Sequence, residues 1–241
     1  MGKNYIVCQQ DADLLGFGPD DADNLIATFR AIAAMDLGDG IMFDPESVRA
    51  DAIREDNTYG GTRINLVARI GSARCALQID VGFGDAVTPE AATVAFPTLL
   101  QNFQVPVLWV YPIYTVIAEK YQAMVMLGQA NSRMKDFYDL AVIGRRTELG
   151  GATLAGAIAA TFARRNTAIP TKRPLALTSQ FSEDAAKMRQ WQAFLNKNRL
   201  NADSLVDTVA LLDRLLWPPT VAVAAQSGAT ATWMPEPGKW I

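Results

Sequence analysis

The sequence predicts an α+β protein, in which a sheet-containing N-terminal part precedes an all-helical C-terminal part. Apolar and polar residues alternate along residues 62–70 and 73–83, which is typical of neighbouring, half-buried strands. From Ile113 onward, apolar residues recur at helical spacing instead. Because half of the 241 residues are hydrophobic, the chain can bury one large core or two small ones.

The first predicted element is a helix over residues 23–35, where apolar side chains recur every three or four positions. Asp23 or Asn24 is the predicted N-cap of this helix. Residues 40–43 form a short apolar segment. Residues 44–51 resemble a turn that is followed by a short helix or by the entry to a strand.

Two strands follow, joined by Gly71-Ser72, a two-residue sequence typical of a β-hairpin. Asp80 lies in the second strand, on the parity opposite to the apolar residues Leu77, Ile79 and Val81. A carboxylate in that position must meet a cation or face an open cleft. Residues 105–110 predict a further strand.

Five helices are predicted after Ile113, with Pro170, Pro174 and Pro218-Pro219 between or after them. We expect residues 1–112 to form the sheet domain, residues 113–220 a helical domain and residues 221–241 an extended tail that wraps the surface. Trp233 and Trp240 are the predicted anchors of that tail. The helices are predicted over residues 113–127, 132–143, 151–164, 182–196 and 204–216.

Composition excludes several classes of protein. The chain has no histidine, so mechanisms that need an imidazole base or a His-ligated zinc ion are excluded. Its two cysteines are expected to be reduced. No stretch approaches the ~20 apolar residues of a membrane span, and the first ten residues do not resemble a signal peptide. We therefore expect a cytoplasmic protein that does not associate with membranes.

Charge is distributed unevenly although the net charge is only −3. Residues 120–199 hold 13 basic and 5 acidic residues, which leaves 9 basic and 20 acidic residues in the remainder of the chain. An acidic first half and a basic second half suit a metal site that faces a polyanion. The alternative is that the helix surfaces are simply rich in Arg and Lys.

Three acidic residues are candidate metal ligands. Asp11 and Asp13 are two positions apart on an extended segment, so their side chains point to the same side. With Asp80 from a neighbouring strand they would supply the carboxylates that Mg²⁺ accepts beside substrate phosphates. The alternative is that Asp11 and Asp13 are solvated loop acids.

A second constellation lies on two predicted helices. Asp136 and Asp139 are three positions apart and share one helix face, and Lys120 lies on the preceding helix. A lysine and an aspartate that meet across this seam could hold nucleotide phosphates and orient an attacking hydroxyl. A structural ion pair between the helices is the alternative.

In this order the motifs D-x-D-L, I-D-V, A-E-K and R-x-K-D-F-Y-D-L resemble the AbiEii/AbiGii toxin-type nucleotidyltransferases, from about Asp11 to about Leu216. The resemblance implies a minimal nucleotidyltransferase fold, with a mixed sheet and flanking helices, plus a C-terminal helical domain. It also implies a toxin of a toxin–antitoxin system with a cognate antitoxin. Such a toxin would use Mg²⁺ to transfer a nucleotide from an NTP to an RNA, including tRNA, or to a protein acceptor.

The same resemblance implies a role for each matching residue. Metal binding falls to Asp11, Asp13 and Asp80, and catalysis to Asp80, Lys120 and Asp136. Nucleotide binding falls to Lys120, Arg133, Lys135 and Asp139. We expect these groups to converge around one divalent ion.

The sequence departs from the family pattern at two places. The Gly-rich turn that normally precedes the D-x-D motif is absent from the ten residues before Asp11, and Gln78 replaces the lysine before the third carboxylate. Without the turn, triphosphate binding loses charge-assisted contacts, at a cost of ~100-fold or more in affinity. The sheet would also expose an edge that could pair with a second copy to give a homodimer.

Two hypotheses about function therefore stand side by side. The first is a metal-dependent nucleotidyltransferase. The second is a catalytically impaired relative that binds RNA or an antitoxin through its basic helical face.

Overall fold

The computed structural model describes residues 12–55, 59–98 and 104–241, so Asp11 lies outside the described residues. The described residues form two compact units, which meet along the chain between Asp85 and Ala86. The first unit contains the sheet, and the second contains the helices together with the C-terminal tail. A boundary at this position lies upstream of residue 112, where the sequence places the end of the sheet domain.

The first unit is a four-stranded mixed sheet with one helix. Its strand order is β1-β4-β3-β2, in which β1 runs parallel to β4 and the other neighbours are antiparallel. The elements are β1 (Ala12–Gly16), α1 (Ala22–Ala33), β2 (Ile41–Glu55), β3 (Tyr59–Ile70) and β4 (Ala73–Phe83).

The predicted α+β class is confirmed, and the predicted strand at Ala73–Phe83 is found with the same bounds. For residues 44–51, where the sequence leaves a short helix or the entry to a strand open after a turn, the structure has a strand. A single strand, β2, covers this region and shifts register between Asp44 and Arg49. The irregular pairing interrupts the alternation of side chains and so hides the strand in the sequence.

Helix α1 is capped by Asp21, not by Asp23 or Asn24 as predicted. The Asp21 carboxylate accepts a hydrogen bond of 2.7 Å from the backbone N–H of Asn24. The apolar stripe of α1 does not distinguish among three neighbouring polar residues, because each of them can act as a cap.

One face of the sheet is buried and the other is polar. Ile64 and Val81 on the sheet pack with Leu25 and Ala33 of α1 in the core of this unit. Since side chains alternate along a strand, Arg63 and Asp80 project from the opposite face. The alternation of apolar and polar residues along β3 and β4 thus places the charged side chains on one face of the sheet.

The second unit comprises a two-stranded sheet, six α-helices and a three-stranded sheet within the described residues. Its first sheet pairs β5 (Ala92–Ala95) with β6 (Val107–Val110). The helices are α2 (Ile113–Leu127), α3 (Met134–Gly144), α4 (Gly151–Arg164), α5 (Ser179–Ser182), α6 (Ala185–Asn198) and α7 (Leu205–Ala224). The last sheet has the order β7 (Leu149–Gly150), β8 (Thr232–Met234) and β9 (Lys239–Trp240).

The helix predictions succeed where apolar periodicity is strong, since α2 and α4 have the predicted bounds. Helix α7, by contrast, continues through Pro218 and Pro219, where the sequence predicts its end. A proline at position 218 leaves the carbonyl of Arg214 without its helical donor. The indole N–H of Trp240 replaces that donor at 2.9 Å, so a tertiary contact allows the helix to continue. No helix within the described ranges has the length and apolar character needed to cross a membrane.

Most of the C-terminal tail lies at the surface as predicted, although residues 221–224 belong to α7, and Trp233 anchors the tail in the core. Trp233 is fully buried, and its indole N–H donates to the carbonyl of Gly144 at 2.7 Å. Trp240 packs edge-on against Trp233, with ring centroids 5.6 Å apart. Both tryptophans therefore anchor the tail as the sequence predicts, and β8 joins it to the N-terminal end of α4 through β7.

Two glycines of α4 provide a matched test of this packing. A Cβ atom on Gly151 would lie 2.6 Å from the carbonyl oxygen of Ala231, whereas one on Gly156 meets nothing closer than 4.0 Å. We expect Gly151→Ala to lower the free energy of unfolding in urea by about 1–3 kcal/mol through steric overlap. Gly156→Ala should raise it by roughly 0.5–1 kcal/mol, because alanine favours the helix. Equal effects of the two substitutions would show that the tail does not pack closely on α4.

Candidate functional site

A row of four charged residues crosses the polar face of the sheet. Asp13 on β1 is the register partner of Asp80 on β4, Asp80 is the partner of Arg63 on β3, and Arg63 is the partner of Asp51 on β2. Register partners on adjacent strands lie on the same face, with strands ~4.8 Å apart. The structure therefore brings two of the three predicted metal ligands, Asp13 and Asp80, next to each other.

Arg63 holds the Asp80 carboxylate in a two-pronged ion pair. Its Nε donates to Oδ1 and its Nη2 donates to Oδ2, each at 2.8 Å. This geometry fixes the plane of the carboxylate as well as its position. Arg63 is a site residue that the motif analysis missed. The two-residue hairpin at Gly71-Ser72 could have identified it, because pairing outward from that turn places Arg63 opposite Asp80.

The donors on this face suit a hard divalent cation. Carboxylate oxygens are the ligands that Mg²⁺ accepts together with water and phosphate, and Asp13 and Asp80 supply them from neighbouring strands. In the described part of the chain no group of three metal-ligating side chains is assembled. Among the described residues, Asp13 and Asp80 are therefore the two carboxylates that could hold a Mg²⁺ ion on this face.

The second charged cluster lies between α2 and α3 of the helical unit. The Nζ atom of Lys120 lies 2.8 Å from Oδ1 of Asp136 and 2.9 Å from Oδ2 of Asp139. The two carboxylates are buried, whereas the lysine side chain retains 19% exposure. Asp136 and Asp139 face the same lysine because three residues make almost one helical turn.

Two further basic residues border this cluster. Arg133 Nε lies 2.9 Å from Oδ2 of Asp136, and Lys135 Nζ lies 3.5 Å from Oδ2 of Asp139. Their side chains are about half exposed. Three basic groups and two acidic groups leave the cluster with a net charge of +1, and its exposed positions are both basic. The structure thus brings together all five residues predicted on these two helices.

The chemical environment of Lys120 keeps its charge in place. Burial by itself lowers the pKa of Lys120, but the negative charges of Asp136 and Asp139, together with their hydrogen bonds, outweigh burial and raise the pKa above 10.5. Lys120 is therefore a permanent cation at neutral pH. Its charge is what allows two carboxylates to remain buried side by side.

Two buried carboxylate oxygens of the cluster accept no hydrogen bond from any described residue. Oδ2 of Asp136 has only its ion-pair contact with Arg133, and Oδ1 of Asp139 has no polar contact of this kind. A buried acceptor without a partner costs about 1–3 kcal/mol.

The start of α3 is held by buried polar contacts. Asn131 is fully buried, and its side-chain oxygen accepts a hydrogen bond of 2.8 Å from the backbone N–H of Arg133. The carbonyl of Asn131 accepts another, also of 2.8 Å, from Nζ of the buried Lys187 on α6. These contacts fix the turn from which Arg133 and Asp136 project.

A separate network fixes the other side of α2. Arg165 contacts Glu119 at 3.7 Å and donates a hydrogen bond of 3.1 Å to Gln122. Gln122 in turn donates to Thr167 at 2.8 Å. Glu119, which belongs to the A-E-K motif, therefore binds α2 to the end of α4 and lies outside the lysine–aspartate cluster.

Comparison with known proteins gives one family and one solved structure. The family model described as "Nucleotidyl transferase AbiEii toxin, Type IV TA system" matches residues 10–218. The solved structure "Crystal structure of JHP933 from Helicobacter pylori" is similar at 14% sequence identity and a TM-score of 0.46, covering 92% of this chain and 81% of that chain. No match was found among curated proteins.

The lysine cluster can be tested by removing either of two lysines. Lys120→Met leaves two buried carboxylates without their shared cation, so it should lower the free energy of unfolding at pH 7 by ~3 kcal/mol. Lys135→Met is the matched control, because Lys135 is half exposed and its ion pair is long. The control should cost no more than about 1 kcal/mol.

The difference between wild type and Lys120→Met should also depend on pH. Because the folded-state pKa of Lys120 is raised, the stabilisation is fully present below pH 10.5 and is lost as pH rises through the folded-state value. Urea titrations between pH 7 and pH 12 should therefore show that the difference in free energy of unfolding between wild type and Lys120→Met decreases only above pH 10.5. A difference in free energy of unfolding that is small at pH 7, or that already decreases at pH 8–9, would contradict the raised pKa of Lys120.

Proposed function

The chain belongs to the AbiEii family of nucleotidyl transferase toxins of type IV toxin–antitoxin systems, and on that premise we propose that it transfers a nucleotide from an NTP to an RNA acceptor, with Mg²⁺ as cofactor. The observation that carries this proposal is the register of Asp13 and Asp80 on neighbouring strands. Two carboxylates in that arrangement on the polar face of the sheet are suited to bind a divalent cation that also coordinates the phosphates of a nucleotide.

Asp13 and Asp80 would hold the Mg²⁺ ion, and Asp11 is the further ligand that the D-x-D motif provides. When bound, Mg²⁺ supplies charge neutralisation for the triphosphate and for the oxygens between which the nucleotide is transferred. Arg63 orients Asp80 through its two hydrogen bonds.

The helical cluster would act on the nucleotide. Arg133 and Lys135 have the exposure that phosphate binding requires, and guanidinium and ammonium groups are the usual partners of phosphate. Lys120 adds charge from beneath them and keeps Asp136 and Asp139 in place. Oδ1 of Asp139, which lacks a donor, could accept a hydrogen bond from a hydroxyl group of the nucleotide or of the acceptor.

The family also implies a cognate antitoxin. We propose that the antitoxin restrains the same activity in the cell, so that the free chain is the active form. The cellular compartment that this implies is the cytoplasm, where NTP and RNA are both present.

Label transfer from each of the four α-³²P NTPs to total RNA, including tRNA, tests the activity. We expect Mg²⁺-dependent transfer that stops in EDTA. Asp80→Asn should lower the rate by at least ~100-fold, because it removes a charged metal ligand whose effect amounts to several kcal/mol. Asp51→Asn is the matched control: Asp51 lies on the same charged row but beyond Arg63, and the rate should stay within about twofold of wild type.

A thermal-shift measurement with Mg²⁺ and each NTP separates loss of binding from loss of transfer. Absence of label transfer with every NTP, combined with RNA binding that Asp80→Asn leaves unchanged, would overturn the enzyme assignment. It would favour a chain that binds RNA or an antitoxin without catalysis. The ion pair between Arg63 and Asp80 is the observation that favours this second function, because it occupies both oxygens of one proposed metal ligand.

A further inference from the structure

A cleft of about 280 Å³ opens at the surface of the helical unit, where β9 lies against α7. It is lined by residues of three segments: the loop before α5 supplies Arg173, and the other residues come from α7 and β9. The residues from α7 and β9 are Asp213, Arg214, Trp217, Pro218, Lys239 and Trp240. None of them belongs to the lysine–aspartate cluster or to the motifs of the family resemblance.

Positive charge in this cleft exceeds negative charge by two. Arg173 is neutralised by Asp213, with Nε donating to Oδ1 at 2.7 Å. Arg214 and Lys239 are exposed and form no ion pair with any residue in the described part of the chain. The cleft therefore offers two cations that have no carboxylate partner, which is the electrostatic condition for binding an anion.

Two indole rings complete the lining. The guanidinium of Arg173 lies 5.6 Å from the ring centroid of Trp217, and Trp217 remains partly exposed. Trp240 is held by the bond from its N–H to the carbonyl of Arg214 and by its contact with Trp233. Rings that are fixed in this way lose little conformational entropy when a flat ligand stacks on them.

A ligand that matches both features must combine a negative charge with a planar aromatic group. Nucleotides have this combination, since a phosphate lies beside a base that stacks on aromatic side chains. The volume is near the lower end of small-molecule pockets, which span about 300–1,000 Å³. This volume suits one nucleotide unit with its phosphate better than it suits a segment of a folded protein.

We propose that this cleft binds one nucleotide unit of a single-stranded RNA, with phosphate on Arg214 and Lys239 and the base on Trp217. A strand is favoured over a free nucleotide because the cleft is open to solvent and its two unpaired cations lie on different segments, α7 and β9, as a continuing backbone requires. The choice of RNA rests on the proposed function, which has an RNA acceptor. Binding itself requires neither Mg²⁺ nor NTP, so it can be measured even if transfer is absent.

The test uses the full chain in EDTA without NTP, with a fluorescein-labelled twelve-nucleotide single-stranded RNA followed by anisotropy. The double variant Arg214→Gln with Lys239→Gln should weaken binding roughly tenfold or more. It should also reduce the slope of log K against log salt by ~1.4, as expected for the loss of two phosphate contacts on a single strand. Arg189→Gln with Lys197→Gln is the matched control, because both residues are exposed on α6 and the charge change is the same.

Trp217→Leu should weaken binding roughly tenfold with little change in the salt slope, because stacking does not release counterions. Urea unfolding of each variant establishes that the fold is retained. Equal binding by the cleft variant and the α6 control would overturn the proposal. So would displacement of the RNA by free AMP at concentrations comparable to that of the oligonucleotide, since the cleft would then take a free nucleotide. The two proposals can fail separately. If wild type transfers nucleotide and Asp80→Asn abolishes the transfer, but the cleft variant binds RNA as wild type does, then only the proposed RNA site in the cleft is refuted.

Discussion

The ion cluster formed by Lys120 with Asp136 and Asp139 determines how α3 lies against α2 in the helical unit. Two carboxylates lie buried on one face of α3, and a cation from α2 must lie between them, since an unpaired buried charge costs several kcal/mol. The cluster thereby fixes which faces of α2 and α3 meet. The contact of Asn131 with Lys187 fixes the start of α3, and the contact of Glu119 with Arg165 holds the middle of α2 to the end of α4. Apolar residues of similar volume often stabilise such a seam equally well or better, so the stability of the fold by itself does not require these charges.

The sheet unit also contains an ion pair between a carboxylate and a basic side chain, which is positioned by strands instead of helices. There the carboxylate is Asp80, the cation is Arg63 and the geometry comes from strand register. A shift of one residue in the pairing of β1 with β4 would turn Asp13 to the opposite face. The apolar residues Ile64 and Leu66 on β3 and Val81 on β4 pack with α1 in the core of this unit, so they keep Arg63 and Asp80 on the opposite, polar face. Hydrophobic burial on one face therefore determines which charged groups are adjacent on the other.

Much of this fold can be predicted from the sequence because its periodicity is regular. Strand β4 and helices α2 and α4 have the predicted bounds, since their apolar residues follow a single period from end to end. The continuation of α7 through Pro218 cannot be predicted in this way, because the donor that replaces the proline N–H is Trp240, which is distant along the chain. Strand β5 gives no signal, since its four residues are all exposed.

For the site, helical spacing predicts that Asp136 and Asp139 face Lys120. The pairing of Arg63 with Asp80 needs the hairpin register in addition to the motif, and the cleft of Arg214 and Lys239 depends on the path of the tail.

The claim that the lysine–aspartate cluster serves function and not stability can be measured in one triple variant. Lys120→Met, Asp136→Leu and Asp139→Leu together replace the buried charges by apolar side chains of similar size. If the cluster is functional, the free energy of unfolding should be unchanged or higher by roughly 1–4 kcal/mol, while nucleotide transfer to RNA is lost. A triple variant that transfers nucleotide at the wild-type rate, or that is as unstable as Lys120→Met alone, would contradict the claim.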